Sequence, residues 1–120
     1  MSERFSLRDR LSSFIPALAG VRTLLVETHN ARLHLLASVL VVSLGFYLEV
    51  TRSDWLPLVL VMGMVWLAES LNSALEYLCD AAVPERHPLI RKAKDVAAAG
   101  VLISASCAVA VALLVFLPHL

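Results

Sequence analysis

The strongest constraint on this chain is a long apolar run that also carries acids. Residues 66–80 read WLAESLNSALEYLCD and continue an apolar sequence that begins near residue 55. Within this stretch, polar side chains recur at helical spacing: Glu69, Asn72, Glu76 and Asp80. At about 100° per residue they fall within a stripe roughly 80° wide. An ionised carboxylate inside an apolar span costs about 2.5–3.5 kcal/mol, so this face is expected to meet a polar site rather than lipid.

The composition is that of an integral membrane protein. Of the 120 residues, 59% are hydrophobic, and the mean hydropathy is +0.79. The chain is therefore too short for two ordinary domains and too apolar for a soluble one. Its formal net charge is zero, which argues against strong electrostatic attraction to nucleic acid. We expect a single membrane domain over residues 1–120 and no nucleic-acid partner.

Hydrophobic periodicity divides this domain into four segments. Residues 1–32 alternate charged and apolar character, which predicts an amphipathic helix in the headgroup region. That helix is either a plain anchor or also one wall of a site. Three apolar runs are long enough to cross a bilayer: 33–50, 55–78 and 96–117. The predicted fold class is an all-α membrane protein, with an amphipathic N-terminal helix and three transmembrane helices.

Lysine and arginine predict the orientation of these spans. They are concentrated before the first span and between the second and third spans, while the other link holds a single arginine. The positive-inside rule therefore places the N-terminus and the second link in the cytoplasm. Four polar residues then lie at the cytoplasmic interface: Glu76, Asp80, Lys94 and Asp95. Glu69 would lie roughly 10 Å deeper, at 1.5 Å rise per residue.

Carboxylates beside a lysine at a membrane surface suit phosphoryl transfer. That reaction needs a divalent cation to bridge phosphate oxygens, a cationic side chain and a base for the hydroxyl proton. Glu69 would lie where a lipid hydroxyl could reach it, and Glu76 where a nucleotide with its metal could arrive. Neither GxxxxGK[ST] nor GxGxxG occurs, so side chains would have to hold the nucleotide.

Each of these residues also has an ordinary structural explanation. Glu69 could be an acid hydrogen-bonded between helices, and Asn72 could join helices in the same way. Glu76 and Asp80 could be solvated acids at a helix end, and Lys94 could simply extend to the headgroups. Independent causes of this kind would not place all of them at one level, which favours a shared site.

One motif runs through these residues and continues beyond them. It reads E-x-x-N-S-A-x-E-x-x-x-D over residues 69–80 and is followed by A-K-D at 93–95. This motif resembles the signature of the prokaryotic diacylglycerol kinase and undecaprenol kinase family. The similarity also includes residues 20–34 and 87–101, so it covers most of the chain. The resemblance implies an ATP-dependent lipid kinase of the bacterial inner membrane, a homotrimer whose sites are shared between neighbouring subunits.

The resemblance also implies a role for each residue. Glu69 would be the general base acting on the lipid hydroxyl. Glu76 would bind the Mg²⁺ that carries the ATP phosphates. The nucleotide-binding side chains would be Asn72, Glu76, Asp80, Lys94 and Asp95.

One position departs from the family pattern. The family usually supplies a second metal-binding acid two positions before an asparagine. Here Thr28 holds that place before Asn30, and the acid is Glu27, one residue earlier. Either Glu27 reaches the metal from its shifted position or fewer acids bind it. We expect Glu27 to be a metal ligand beside Glu76.

The acceptor lipid has two candidates. Our first expectation is diacylglycerol, which would give phosphatidic acid. The second is undecaprenol, which residues 27–34 and 87–89 favour because they look more like undecaprenol-type members.

A small proton-coupled transporter would use Glu69 as an intramembrane acid but has little need for cytoplasmic metal ligands. A purely structural role would leave the carboxylate stripe without a purpose.

Overall fold

The computed structural model describes residues 4–120, which form helices and no strand. The helices are α1 (Leu7–Ser12), α2 (Phe14–Glu27), α3 (His29–Tyr47), α4 (Arg52–Ala82) and α5 (Pro88–Phe116), followed by a 3₁₀ turn at Leu117–His119. The all-α prediction is confirmed. The predicted number of spans is also confirmed, because three helices are long and apolar enough to cross a membrane: α3, α4 and the helix Pro88–His119.

Helix α4 begins earlier than the predicted span because capping side chains extend it. Thr51 and Asp54 form a capping box: the Asp54 N–H donates to Thr51 Oγ1 at 3.2 Å, and the Thr51 N–H donates to Asp54 Oδ2 at 3.3 Å. Consequently α4 starts at Arg52 rather than at residue 55. Pro88 occupies the first position of α5, where its missing N–H costs little, and His87 caps the helix through Nδ1.

The N-terminal segment forms two helices that meet at Ser13 and bury no residue. Thr28 has extended backbone geometry and separates α2 from α3. Arg32 bridges this break, because its Nε donates to the Leu25 carbonyl oxygen at 2.9 Å and its Nη2 to that of Val26. Carbonyls at a helix end lack intrahelical partners, so Arg32 determines how α2 joins α3. The amphipathic, interfacial character of residues 1–32 stays a prediction, and residues 1–3 lie outside the described range.

Helix packing is most extensive between α4 and α5. A compact core lies at the end of the bundle where α4 begins, and it consists of Val50, Leu58, Val115 and Phe116. Trp55 packs onto this core and lies against Gly45 of α3, where an added Cβ would come within 2.5 Å of the ring carbon Cη2. This core anchors one end of α4, and the polar stripe occupies the other end.

Candidate functional site

The polar stripe of α4 passes from a buried environment to solvent. Glu69, Asn72 and Ser73 are buried, and Glu69 is only 2% exposed. Glu76 and Asp80, on the following turns, are exposed. From Glu69 to Asp80 the stripe runs roughly 16 Å along the helix axis, at 1.5 Å per residue. The deep part of the stripe therefore faces protein, as the energetic cost of a carboxylate in lipid predicts.

Glu69 lies between two hydrogen-bonding side chains. Ser73, one turn further along α4, donates its hydroxyl to Glu69 Oε1 at 3.5 Å. His34 of α3 brings Nε2 to 3.4 Å from Oε2. Apart from this contact, Oε2 has no hydrogen-bond partner among residues 4–120. Burial strengthens the electrostatic interactions of this carboxylate, because little water remains to screen it.

Two grooves are lined by the side chains that contact this acid, one by Ser73 and the other by His34. One, between α2 and α4, has a volume of about 360 Å³ and is mostly apolar, with Ser73 among its polar lining residues. The other holds about 270 Å³ between α3, α4 and α5, and its polar lining residues are Asn30, His34 and Asn72. The buried Asn72 Oδ1 accepts no hydrogen bond from the described residues. An unpaired buried carboxamide oxygen is costly, so this atom is suited to receive a donor from a ligand.

A larger cleft opens where α4 ends and α5 begins. It holds about 640 Å³, and its charged lining residues are Arg86, Arg91, Lys94, Asp80 and Glu85. Lys94 Nζ donates to Asp80 Oδ1 at 2.6 Å. Asp95, expected beside Lys94 on the nucleotide side, instead pairs with Arg91 at 3.3 Å. Cationic side chains of this kind can exchange a carboxylate partner for phosphate oxygens, because both accept charge-assisted hydrogen bonds.

Glu27 contacts α4 through Tyr77 rather than through Glu76. The Tyr77 hydroxyl donates to Glu27 Oε1 at 2.7 Å. Among residues 4–120 there is no group of three His, Cys, Asp or Glu side chains that could hold a metal. The two carboxylates nevertheless fit Mg²⁺, which proteins usually bind through one or two acids together with substrate phosphates.

Three residues of this region were not assigned roles from the sequence. His34 is an ionisable residue near the end of an apolar span, and the rule that such residues are functional would have identified it. Arg91 precedes Asp95 by four positions, the spacing of helical ion pairs. Tyr77 carries no such signal, because its contact depends on how α2 returns beside α4.

The candidate site lies on one of three helices that are long and apolar enough to cross a membrane. A buried acid beside an apolar groove occupies one part of α4, and a cationic cleft large enough for phosphate groups lies at the end of the same helix. The sequence profile of prokaryotic diacylglycerol kinase matches residues 16–116. The chain belongs to this family, and it is a phosphotransferase with an alcohol group as acceptor.

Relatives with assigned activities show how far this similarity extends. An undecaprenol kinase from Bacillus subtilis is 32% identical over 117 residues, which are 98% of this chain and 95% of that protein. A diacylglycerol kinase from Synechocystis sp. is 36% identical over 111 residues, which are 92% of this chain but 63% of that protein. A diacylglycerol kinase from Pseudomonas aeruginosa is 36% identical over 64 residues, 53% of this chain and 52% of that protein. Membership of a kinase family implies the use of ATP and typically a divalent metal.

Proposed function

We propose that this chain transfers the γ-phosphate of ATP to the hydroxyl of a membrane lipid, with Glu69 as the general base. The observation that carries the proposal is the buried Glu69 carboxylate on α4, the helix whose Asp80 pairs with Lys94 of α5. Near the expected cytoplasmic surface this pair brings the cation of α5 to α4, the helix that also carries the acid within the membrane span. A lipid hydroxyl and the phosphates of a soluble nucleotide would meet along it.

In this reaction the lipid oxygen bonds to the γ-phosphorus and gives its proton to Glu69. The bond between the γ-phosphorus and the oxygen that bridges to the β-phosphate breaks, and ADP leaves with that oxygen. Asn72 and Lys94 would orient the phosphates and offset their charge. Asp80 and Asp95 would complete the nucleotide side of the site.

Glu76 and Glu27 would hold Mg²⁺. When bound, the ion would supply positive charge that offsets the negative charge of the ATP phosphates. The donor atoms of these two residues support this role, because carboxylate oxygens are the ligands that Mg²⁺ prefers. Further support comes from Tyr77, whose hydrogen bond keeps the Glu27 carboxylate near the end of α4 that carries Glu76.

The acceptor would approach through the apolar groove between α2 and α4, whose lining includes the Ser73 that contacts Glu69. Diacylglycerol is the first candidate, and the family name and two of the relatives support it. Undecaprenol is the second candidate. One specific observation favours it, namely the nearly end-to-end match with the undecaprenol kinase of Bacillus subtilis.

We also propose a homotrimer in the bacterial inner membrane, with the N-terminus and the site on the cytoplasmic side. The distribution of lysine and arginine supports this orientation. The groove lined by His34 and Asn72 is a place where a neighbouring subunit could contribute side chains to the site. Light scattering of the protein in detergent would test the trimer, and a monomer as the active species would contradict it.

The acceptor is tested with purified protein in mixed micelles, supplied with Mg²⁺ and ATP labelled at the γ-phosphate. Diacylglycerol and undecaprenol are compared at equal mole fraction, and kcat/KM is measured for each. We expect transfer to diacylglycerol at least equal to that to undecaprenol. A tenfold or larger preference for undecaprenol would replace the first candidate by the second. Failure to phosphorylate either lipid would contradict the kinase proposal itself.

A further inference from the structure

None of the catalytic or binding roles proposed for this site includes His34, although His34 contacts Glu69. We infer that His34 is a positioning residue for the general base, and that its Nε2–H donates a hydrogen bond to Glu69 Oε2. This inference rests on the proposed function, since it concerns how Glu69 is prepared to accept the lipid proton.

The geometry supports a donor role for His34. Its Nε2 lies 3.4 Å from Oε2, and Ser73 approaches the other oxygen, Oε1, at 3.5 Å. One donor on each oxygen would set the plane of the carboxylate, while each oxygen keeps a further lone pair for the incoming proton. Oε2 has no complete hydrogen bond within residues 4–120, so its lone pairs are free to accept one from the Nε2–H of His34.

His34 is itself held in place by a short chain of contacts between α3 and α4. The indole N–H of Trp66 donates to Ser38 Oγ at 3.0 Å, and the Ser38 hydroxyl donates to the His34 carbonyl oxygen at 2.7 Å. The Trp66 ring meets the imidazole edge-on, at 6.3 Å between ring centroids and 67° between planes. These contacts set the register of the two helices at the depth of Glu69. The imidazole therefore points toward Glu69 before any ligand binds.

A packing role and a positioning role for His34 predict different results. If the imidazole only fills space between helices, an apolar side chain of similar size should serve as well. If the imidazole orients the base, a side chain that retains a donor at the place of Nε2 is needed. Glutamine supplies such a donor, because its amide nitrogen lies about as far from the backbone as Nε2, and leucine supplies none.

The test compares wild type, His34→Leu and His34→Gln, with Glu69→Gln as the inactive reference and exposed His29→Leu as the matched control. We expect His34→Leu to lower kcat about tenfold to a hundredfold with little change in either KM, because a small misplacement of a catalytic group is costly. His34→Gln should recover kcat to within about fivefold of wild type, which follows from its retained donor. His29→Leu should match wild type.

Wild-type turnover by His34→Leu would overturn the inference, and so would equal losses in His34→Leu and His34→Gln when both are folded. A second measurement does not need the His34 variants, so it tests the inference even if they do not fold. In wild type labelled with ¹⁵N-histidine, the Nε2 signal of His34 should shift when Glu69 is replaced by Gln, and an unmoved signal would also overturn the inference. Failure of the proposed kinase function can be distinguished from failure of this inference, because in that case the wild-type protein itself transfers no phosphate.

Discussion

The Tyr77 hydroxyl donates a 2.7 Å hydrogen bond to Glu27 Oε1 and so joins α2 to α4 across 50 residues of sequence. This contact holds the Glu27 carboxylate against the turn of α4 that carries Glu76, which suits a displaced acid to the proposed metal site. Thr28 occupies the position where the family usually has its acid, but its side chain forms a hydrogen bond to α2 instead. Its hydroxyl donates to the Leu24 carbonyl oxygen at 2.6 Å, at the end of α2.

Removing the Tyr77 hydroxyl should therefore weaken the binding of Mg²⁺. In Tyr77→Phe we expect the half-saturating Mg²⁺ concentration to rise about fivefold, since a hydrogen bond between exposed groups contributes only about 1 kcal/mol. Initial rates measured against Mg²⁺ at saturating ATP test this expectation. Tyr47→Phe, exposed at the other end of α3, is the control and should behave as wild type. An unchanged Mg²⁺ dependence in Tyr77→Phe would remove Glu27 from the metal site.

Lys94 provides an electrostatic test of the cytoplasmic cleft. Its ammonium pairs with Asp80 at 2.6 Å, and in the proposed reaction it would turn to the phosphates. Lys94→Met should lower kcat/KM for ATP by about a hundredfold to a thousandfold, the usual effect of removing a group that stabilises transition-state charge. Asp80→Asn should cost less than about tenfold, because it leaves the cation in place.

The control for Lys94 is Lys92→Met, which removes an exposed cation from the same helix. Rates are measured against ATP at constant lipid mole fraction. Activity of Lys94→Met within threefold of wild type would show that this lysine has no part in phosphoryl transfer.

Gly45 tests the packing at the opposite end of the bundle. A Cβ at this position would lie 2.5 Å from Trp55 Cη2, and Trp55 packs onto the buried core. Gly45→Ala should therefore destabilise the protein by about 1–3 kcal/mol, the usual cost of overpacking. In Gly63→Ala the added methyl meets no atom within 4 Å, so that variant should be neutral or up to about 1 kcal/mol more stable.

Both glycine variants are compared by thermal unfolding in detergent, followed by circular dichroism. The turnover per folded molecule should remain near that of wild type in both, because Gly45 lies far along the bundle from Glu69. Equal stability changes in the two variants would show that the contact with Trp55 does not limit the packing.

The fold was largely predictable from the sequence, because bilayer thickness sets the length of an apolar run that can span it. The helix ends were less predictable. Thr51 and Asp54 looked like a polar link, yet their mutual hydrogen bonds draw this segment into α4. Such caps depend on side-chain geometry that hydropathy does not describe.

The sequence predicted only those features of the site that depend on a single helix. The burial of Glu69 and Asn72 follows from the cost of placing polar groups in lipid. The contacts of Glu69 with His34 and of Glu27 with Tyr77 depend on the register between helices, which no local pattern gives. The acceptor was not predictable either, because an apolar groove discriminates weakly between two lipid hydroxyls.

The proposed lipid kinase activity depends on Glu69 and Glu76. Phosphate transfer from ATP to lipid, measured in mixed micelles with Mg²⁺, tests this dependence by comparing wild type, Glu69→Gln and Glu76→Gln. We expect wild type to phosphorylate a lipid, and both variants to lose about a hundredfold or more of turnover while retaining the helicity and oligomeric state of wild type. Turnover by Glu69→Gln close to that of wild type would contradict its role as the base.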